Sequence, residues 1–106
     1  MMTYMDLKAE VEALGLPCTY HSYKDRPAIP FTTIVYANNN DLIADNQNYH
    51  DISNYQLEYY NKIKYPPDEQ KIEDKLKELR LPYNKTEAFL ESEGLRQVVY
   101  EFQLIK

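Results

Sequence analysis

This chain of 106 residues has only two glycines, two histidines and one cysteine, and it has no tryptophan. Each scarcity closes a route. With glycine only at Gly15 and Gly94, a glycine-rich phosphate loop cannot be built. His21 and His50 stand 29 positions apart with no cysteine or histidine neighbour, so the spacing predicts no metal site. The lone Cys18 cannot close an intrachain disulfide, and nothing calls for an oxidising compartment. No apolar run approaches the length of a membrane span. The opening Met1-Met2-Thr3-Tyr4-Met5-Asp6 lacks the basic start and apolar run of a secretory signal, so a protein that is cytoplasmic when made is expected. Positive charge is also short: 12 basic residues lie scattered among 17 acids, for a net charge of -5. A nucleic-acid reader is expected to carry a basic face, so no specific nucleic acid is predicted as partner, and no membrane.

What the chain has in plenty is tyrosine, with eleven residues. A phenol ring buries a large apolar area and keeps a polar tip for hydrogen bonding, which suits half-wet contact surfaces. An apolar content of 43% and a charged content of 27% are those of an ordinary globular domain, and the length fits one core.

The pattern along the chain predicts α+β architecture. Thr3 and Asp6 form a short capping box ahead of a helix over 3–14. In it Tyr4, Leu7, Val11 and Leu14 share a stripe, and Gly15 and Pro17 end it. Residues 18–23 read as a strand, and 24–30 as a loop with Pro27 and Pro30. The β-branched and aromatic run 31–37 is a strand, with Phe31, Thr33 and Val35 on one side and Ile34 and Tyr36 on the other. Asn38-Asn39-Asn40-Asp41 and Asp45-Asn46-Gln47-Asn48 read as turns around a short apolar segment, 42–44. From 49 to 64 the alternation of Tyr55, Leu57 and Tyr59 with Asn54, Gln56 and Glu58 predicts one long antiparallel strand. Pro66-Pro67 opens a second helix over 68–80, buried through Ile72, Leu76 and Leu79, with Asp68 and Glu69 suited to its dipole. Residues 83–91 and 95–105 make a closing hairpin with Val98, Tyr100, Phe102 and Leu104 inward.

Shifting the chain by 65 positions lays Leu7, Val11, Leu14, Leu16 and Pro17 onto Ile72, Leu76, Leu79, Leu81 and Pro82. The echo predicts two equivalent helix-to-strand units. Together the elements give a single domain over 1–106: a mixed, mainly antiparallel sheet with two helices on one face, in the order α-β-β-(β)-β-α-β-β.

The chemistry sought is absent from the pattern. Cys18 reads as a buried, inert thiol, and on one regular strand it would project away from His21, so no nucleophilic dyad is expected. The carboxylate pairs Glu69 with Glu73 and Glu91 with Glu93 read as solvated faces. The sequence therefore predicts no enzyme, no catalytic residue, no cofactor and no metal. Tyr59, Tyr60 and Tyr65 are the candidate contact residues. They put phenols on both sides of a long strand and just beyond it, and long strands with usable edges invite pairing with another chain.

The segments MDLKAEVEALGLPCTYHSY, PFTTIVYANNNDLIADNQNYHDISNYQLEYY and KIEDKLKELRLPYNKTEAFLESEGLRQVVYEFQL together resemble small tail-completion or tail-terminator-like proteins of tailed phages and prophages of Gram-positive bacteria. The resemblance spans nearly the whole chain. It rests on Leu14-Gly15-Leu16-Pro17, Ala44-Asp45-Asn46, and the ending from Glu91-Ser92-Glu93-Gly94-Leu95 through Val99-Tyr100-Glu101-Phe102. It implies a structural virion assembly subunit that forms a ring-like homo-oligomer, a hexamer in tail terminators, and docks to the major tail tube protein and the head connector proteins. It places the chain in the bacterial host cytoplasm during assembly and then in the virion tail. The loops 24–30 and 38–48, with Arg26, Pro27, Asn39, Asn40 and Leu42, become the candidate contacts with neighbouring subunits or the tube. A head-closure or connector protein, and a ferredoxin-like protein-binding module of a prophage, are the alternatives.

Overall fold

The computed structural model describes residues 2–21, 27–39, 42–44, 47–50 and 52–105. Helix α1 (Tyr4–Glu12) starts where the capping box puts it. The Asp6 backbone N–H donates to Thr3 Oγ1 at 3.3 Å, and the Thr3 backbone N–H donates to Asp6 Oδ2 at 2.9 Å. These bonds satisfy donors that a helix start leaves open. Its end is set by Gly15, whose φ of +90° lies in the left-handed region that a side chain resists.

Strand β1 (Cys18–Tyr20) then pairs in parallel with β2 (Phe31–Asn39). Strands β3 (Leu42–Ala44) and β4 (Gln47–His50) form their own two-stranded sheet. Strand β5 (Ile52–Asn61) leads to helix α2 (Pro66–Glu78), which begins with proline because the first helical N–H groups need no partner within the helix. Strands β6 (Asn84–Leu90) and β7 (Leu95–Ile105) close the chain. The main sheet runs β1-β2-β5-β7-β6, antiparallel except for the β1–β2 pair. The molecule is a single compact α+β domain with two helices on one face of a mixed, mostly antiparallel sheet, as the sequence predicts.

One core holds it. Leu7 and Val11 of α1 and Ile72 and Leu76 of α2 meet Ile34, Leu57, Tyr59, Val98, Tyr100 and Phe102 from three central strands. The echo of 65 positions is thus structural, because both helices deliver matching residues to the same sheet face. Truncating a fully buried member such as Leu76 to alanine would cost about 2–5 kcal/mol.

Several sequence expectations shift. Strand β2 continues through Asn38 and Asn39, which pair with Asn54 and Ser53 rather than turn. Strand β4 occupies Gln47 and Asn48, where the sequence predicts a turn, while Asp45 and Asn46 of that turn lie outside the described residues; the strand expected over 49–64 falls into β4 and β5. Pairing across the sheet outweighs the local turn preference of asparagine. Asp68 and Glu69 are only 6% and 3% exposed, so neither lies on a solvated face.

Candidate functional site

Neighbouring tyrosines on β5 point to opposite faces of the sheet. Tyr59 lies on the helix face, 1% exposed, and its hydroxyl donates to Asp68 Oδ2 of α2 at 2.7 Å. Asn61 Nδ2 donates to the same hydroxyl at 2.9 Å. Burial pushes the Tyr59 phenol far above its ordinary range, and the bond to Asp68 adds to the rise. Tyr59 is therefore a core residue that holds α2 to the sheet, and its expected role at an interface is corrected.

The rest of the polar contact between α2 and the sheet is built the same way. Lys85 of β6 bridges Glu69 and Glu73, each at 2.9 Å, and Lys64 contacts Glu69 at 2.7 Å and Glu87 of β6. Tyr100 donates to Glu73 Oε2 at 3.0 Å. Burial alone would raise the Glu69 carboxyl, but the hydrogen bonds from Lys64 and Lys85 hold it below its ordinary value. The charges are paired and the bonds satisfied, so this cluster serves the fold.

Tyr60 points the other way, onto a face that carries no helix. Its ring stacks on Phe31 of β2 at 4.9 Å between centroids. Gln97 Nε2 of β7 donates to the Tyr60 hydroxyl at 2.9 Å, and that hydroxyl donates to Glu58 Oε1 at 3.0 Å. Thr33 Oγ1 of β2 donates to the same Glu58 oxygen at 3.0 Å. One chain of hydrogen bonds thus crosses three strands. Burial, followed by the Glu58 charge, pushes the Tyr60 phenol up to about 12. Further along, Gln103 donates to Asn54 at 3.0 Å.

Alternation along the paired strands assigns the rest of this face: Val35, Gln56, Val99, Glu101, Thr86 and Ala88. Glu58 and Glu101 are its charges, its strand positions carry no lysine or arginine among the described residues, and Arg80 lines a groove with Glu101 and Gln103 at its margin. Such a surface can hydrogen-bond a protein partner through amides and phenols, and it offers no grip to a polyphosphate.

The other candidate contacts are dispersed. Tyr65 stands at the start of α2, 42% exposed. Pro27 is half-buried ahead of Phe31. Asn39 is the last residue of β2 and Leu42 the first of β3. Arg26 and Asn40 lie outside the described residues. What the sequence reading did not single out is the hydrogen-bond chain that ties Tyr60 to Glu58, Thr33 and Gln97 across this face. The alternation of Gln56 and Glu58 with Leu57 carried the signal of the face itself.

Cys18 is buried against the core cluster. Desolvation raises its thiol, and a hydrogen bond with Thr32 only partly opposes that rise. His21 follows β1 in a left-handed conformation, φ 68°, exposed and edge-on to the Tyr20 ring at 4.2 Å. The Cys18 thiol is buried, whereas the His21 ring is exposed. An open groove of about 860 Å³ runs beside the start of β6, with Met2, Tyr55, Arg80, Tyr83, Glu101 and Gln103 among its walls. Among the described residues, no group of three or more His, Cys, Asp or Glu is placed to hold a metal ion.

No family model matches the chain, and no curated protein sequence does. Its fold is similar to that of a solved protein chain in the virion of a native gene transfer agent particle. The TM-score is 0.62 at 12% identity, and the match covers 94% of this chain and 87% of the other.

Proposed function

We propose that this protein is a structural subunit of a phage-like virion, a tail-completion or tail-terminator protein acting at the head-tail joint. One observation carries the reading: the fold follows that of a virion chain over 94% of its length. The sequence resemblance to phage tail-completion proteins points the same way. In this reading the chain works by forming a ring of identical subunits that docks on the tail tube and the head connector, without breaking a bond.

The chemistry of the helix-free face supports it. A face whose strands carry Glu58 and Glu101 and, among the described residues, no lysine or arginine suits a passage through which DNA must slide without sticking. Tyr65, Pro27, Asn39 and Leu42 supply candidate contacts with neighbouring subunits or the tube, and Tyr60 lies beside Glu58 on the face assigned to the passage.

The test is capping. Purified protein is mixed with tubes assembled from the major tail protein of the same genome and imaged by electron microscopy. Rings at tube ends are expected, with tube growth arrested. Replacing the exposed Tyr65 by alanine should weaken capping while urea unfolding shifts by less than about 0.5 kcal/mol. Protein that never associates with tubes at any concentration would overturn the reading.

A further inference from the structure

The two edges of the main sheet are unlike. At one end β1 is three residues long and joined in parallel, which leaves little to template on. At the other end stands β6, seven residues with an unbroken register against β7, and among the described residues no strand pairs with its outer side. It contains no proline or glycine, Asn84 through Phe89 are exposed, and Phe89 shows 54% of its surface. Natural sheets blunt such edges with bulges, prolines or outward lysines. Here the one lysine, Lys85, is drawn onto the helix face by Glu69 and Glu73. The edge is open for pairing.

We infer that β6 pairs antiparallel with β6 of a second copy of this chain, about a two-fold axis through Thr86 that joins the two sheets into one. Charge selects the partner and the register. With the axis at Thr86, Lys85 of each copy lies opposite Glu87 of the other, and Asn84 lies opposite Ala88. Lys85 also holds Glu69 and Glu73, and Glu87 also holds Lys64, so the joint extends a charge network already present in each copy. Tyr83, next to the strand and half-buried edge-on against Tyr100, comes opposite the exposed Phe89. Opposed pairs of opposite charge and pairs of aromatics both favour a register. Moving the axis one residue to Glu87 sets that carboxylate against its own copy and leaves Lys85 facing Phe89. Moving it to Lys85 sets two ammonium groups face to face. Like charges directly opposite are unfavourable, so both shifts are penalised.

Parity also fits. Lys85, Glu87 and Phe89 share the helix face and Asn84, Thr86 and Ala88 the helix-free face, so a two-fold axis normal to the sheet keeps each face continuous across the joint. Such an isologous contact closes at two copies, which separates it from the ring contacts of the proposed function.

The experiment uses the whole chain in two single-cysteine-addition variants, Thr86→Cys and Ala88→Cys, with Cys18 buried and silent. Residues facing each other in an antiparallel pair have Cα atoms roughly 4.5–5.5 Å apart, within disulfide reach. Only position 86 meets its own copy in this register. Under mild oxidation Thr86→Cys should give covalent dimer at least about tenfold faster than Ala88→Cys, through its high effective concentration in the pair. Sedimentation of the wild type, which needs no variant, should show mass doubling as concentration rises. Equal oxidation rates at the two positions, or a wild type that stays monomeric throughout the dilution series, would overturn the inference. A ring without preferential linkage at position 86 would overturn it as well, while leaving the assembly role standing.

Discussion

The Tyr100 hydroxyl donates to Glu73 Oε2 at 3.0 Å, tying the middle of β7 to the middle of α2 through the floor of the core. Tyr59 and Asp68 repeat the arrangement one strand over, at 2.7 Å. Helix α2 is therefore fastened to the sheet by phenol-carboxylate bonds as well as by Ile72 and Leu76. The two bonds are separately testable.

Replacing Tyr59 with phenylalanine keeps the ring and removes the donor, leaving buried Asp68 with Lys71 at 3.7 Å. A buried acceptor stripped of its partner costs about 1–3 kcal/mol, so the urea midpoint should fall accordingly. An unchanged midpoint would show that Asp68 is solvated.

The stability profile should have limbs of opposite sign. At the acid end Glu69 has a depressed folded pKa, so its contribution is present above the unfolded carboxylate value of about 4.3 and is lost as pH falls through the folded value. Glu69→Gln should flatten that limb in urea titrations. At the alkaline end Tyr100 is raised by burial and by the Glu73 charge, and Tyr59 by burial and its bond to Asp68. Lys85 is raised too: burial would lower it, but Glu69 and Glu73 outweigh that. Their contributions are present below the unfolded values near about 10 and are lost as pH rises through the folded ones. Absorbance titration of the phenols should show Tyr59 and Tyr100 ionising only as the fold opens.

Backbone strain makes a paired prediction. Gly15 at φ +90° has nothing near its missing Cβ, so Gly15→Ala should lose about 1 kcal/mol from conformation alone. Arg80 ends α2 at φ 58°, where a side chain is unfavourable. Arg80→Gly should be neutral or stabilising by up to about 1 kcal/mol. Thermal melts of both variants check the two signs together.

Cys18 should resist labelling. Its thiol is 5% exposed and raised by burial, so a thiol reagent at neutral pH should react with native protein far more slowly than with protein in denaturant. Fast native labelling would contradict the packing around β1.

Much of this fold was legible because it rests on local signals. Thr3 and Asp6 announce α1, and Gly15 ends it. Period-two alternation places Leu57, Val98, Tyr100 and Phe102 inward, and the spacing of Ile72 and Leu76 gives the buried side of α2. What stayed hidden depends on partners far away in the chain. Asp68 and Glu69 look like surface acids at a helix start, and only Tyr59, Lys64 and Lys85 together explain their burial. Asn38 and Asn39 look like a turn until Asn54 and Ser53 are set beside them. The open face was readable as alternation in β5. Tyr59, however, could not be told from Tyr60 as contact or core, since two adjacent tyrosines fit either phase.

Lys64 touches Glu69 of α2 and Glu87 of β6 at once, while Lys85 returns from β6 to Glu69 and Glu73. The outermost strand is thereby riveted to a helix that precedes it in the chain. Fraying of that strand would strand two ammonium groups and three carboxylates together, so its amides should exchange with solvent more slowly than a peripheral position alone would allow.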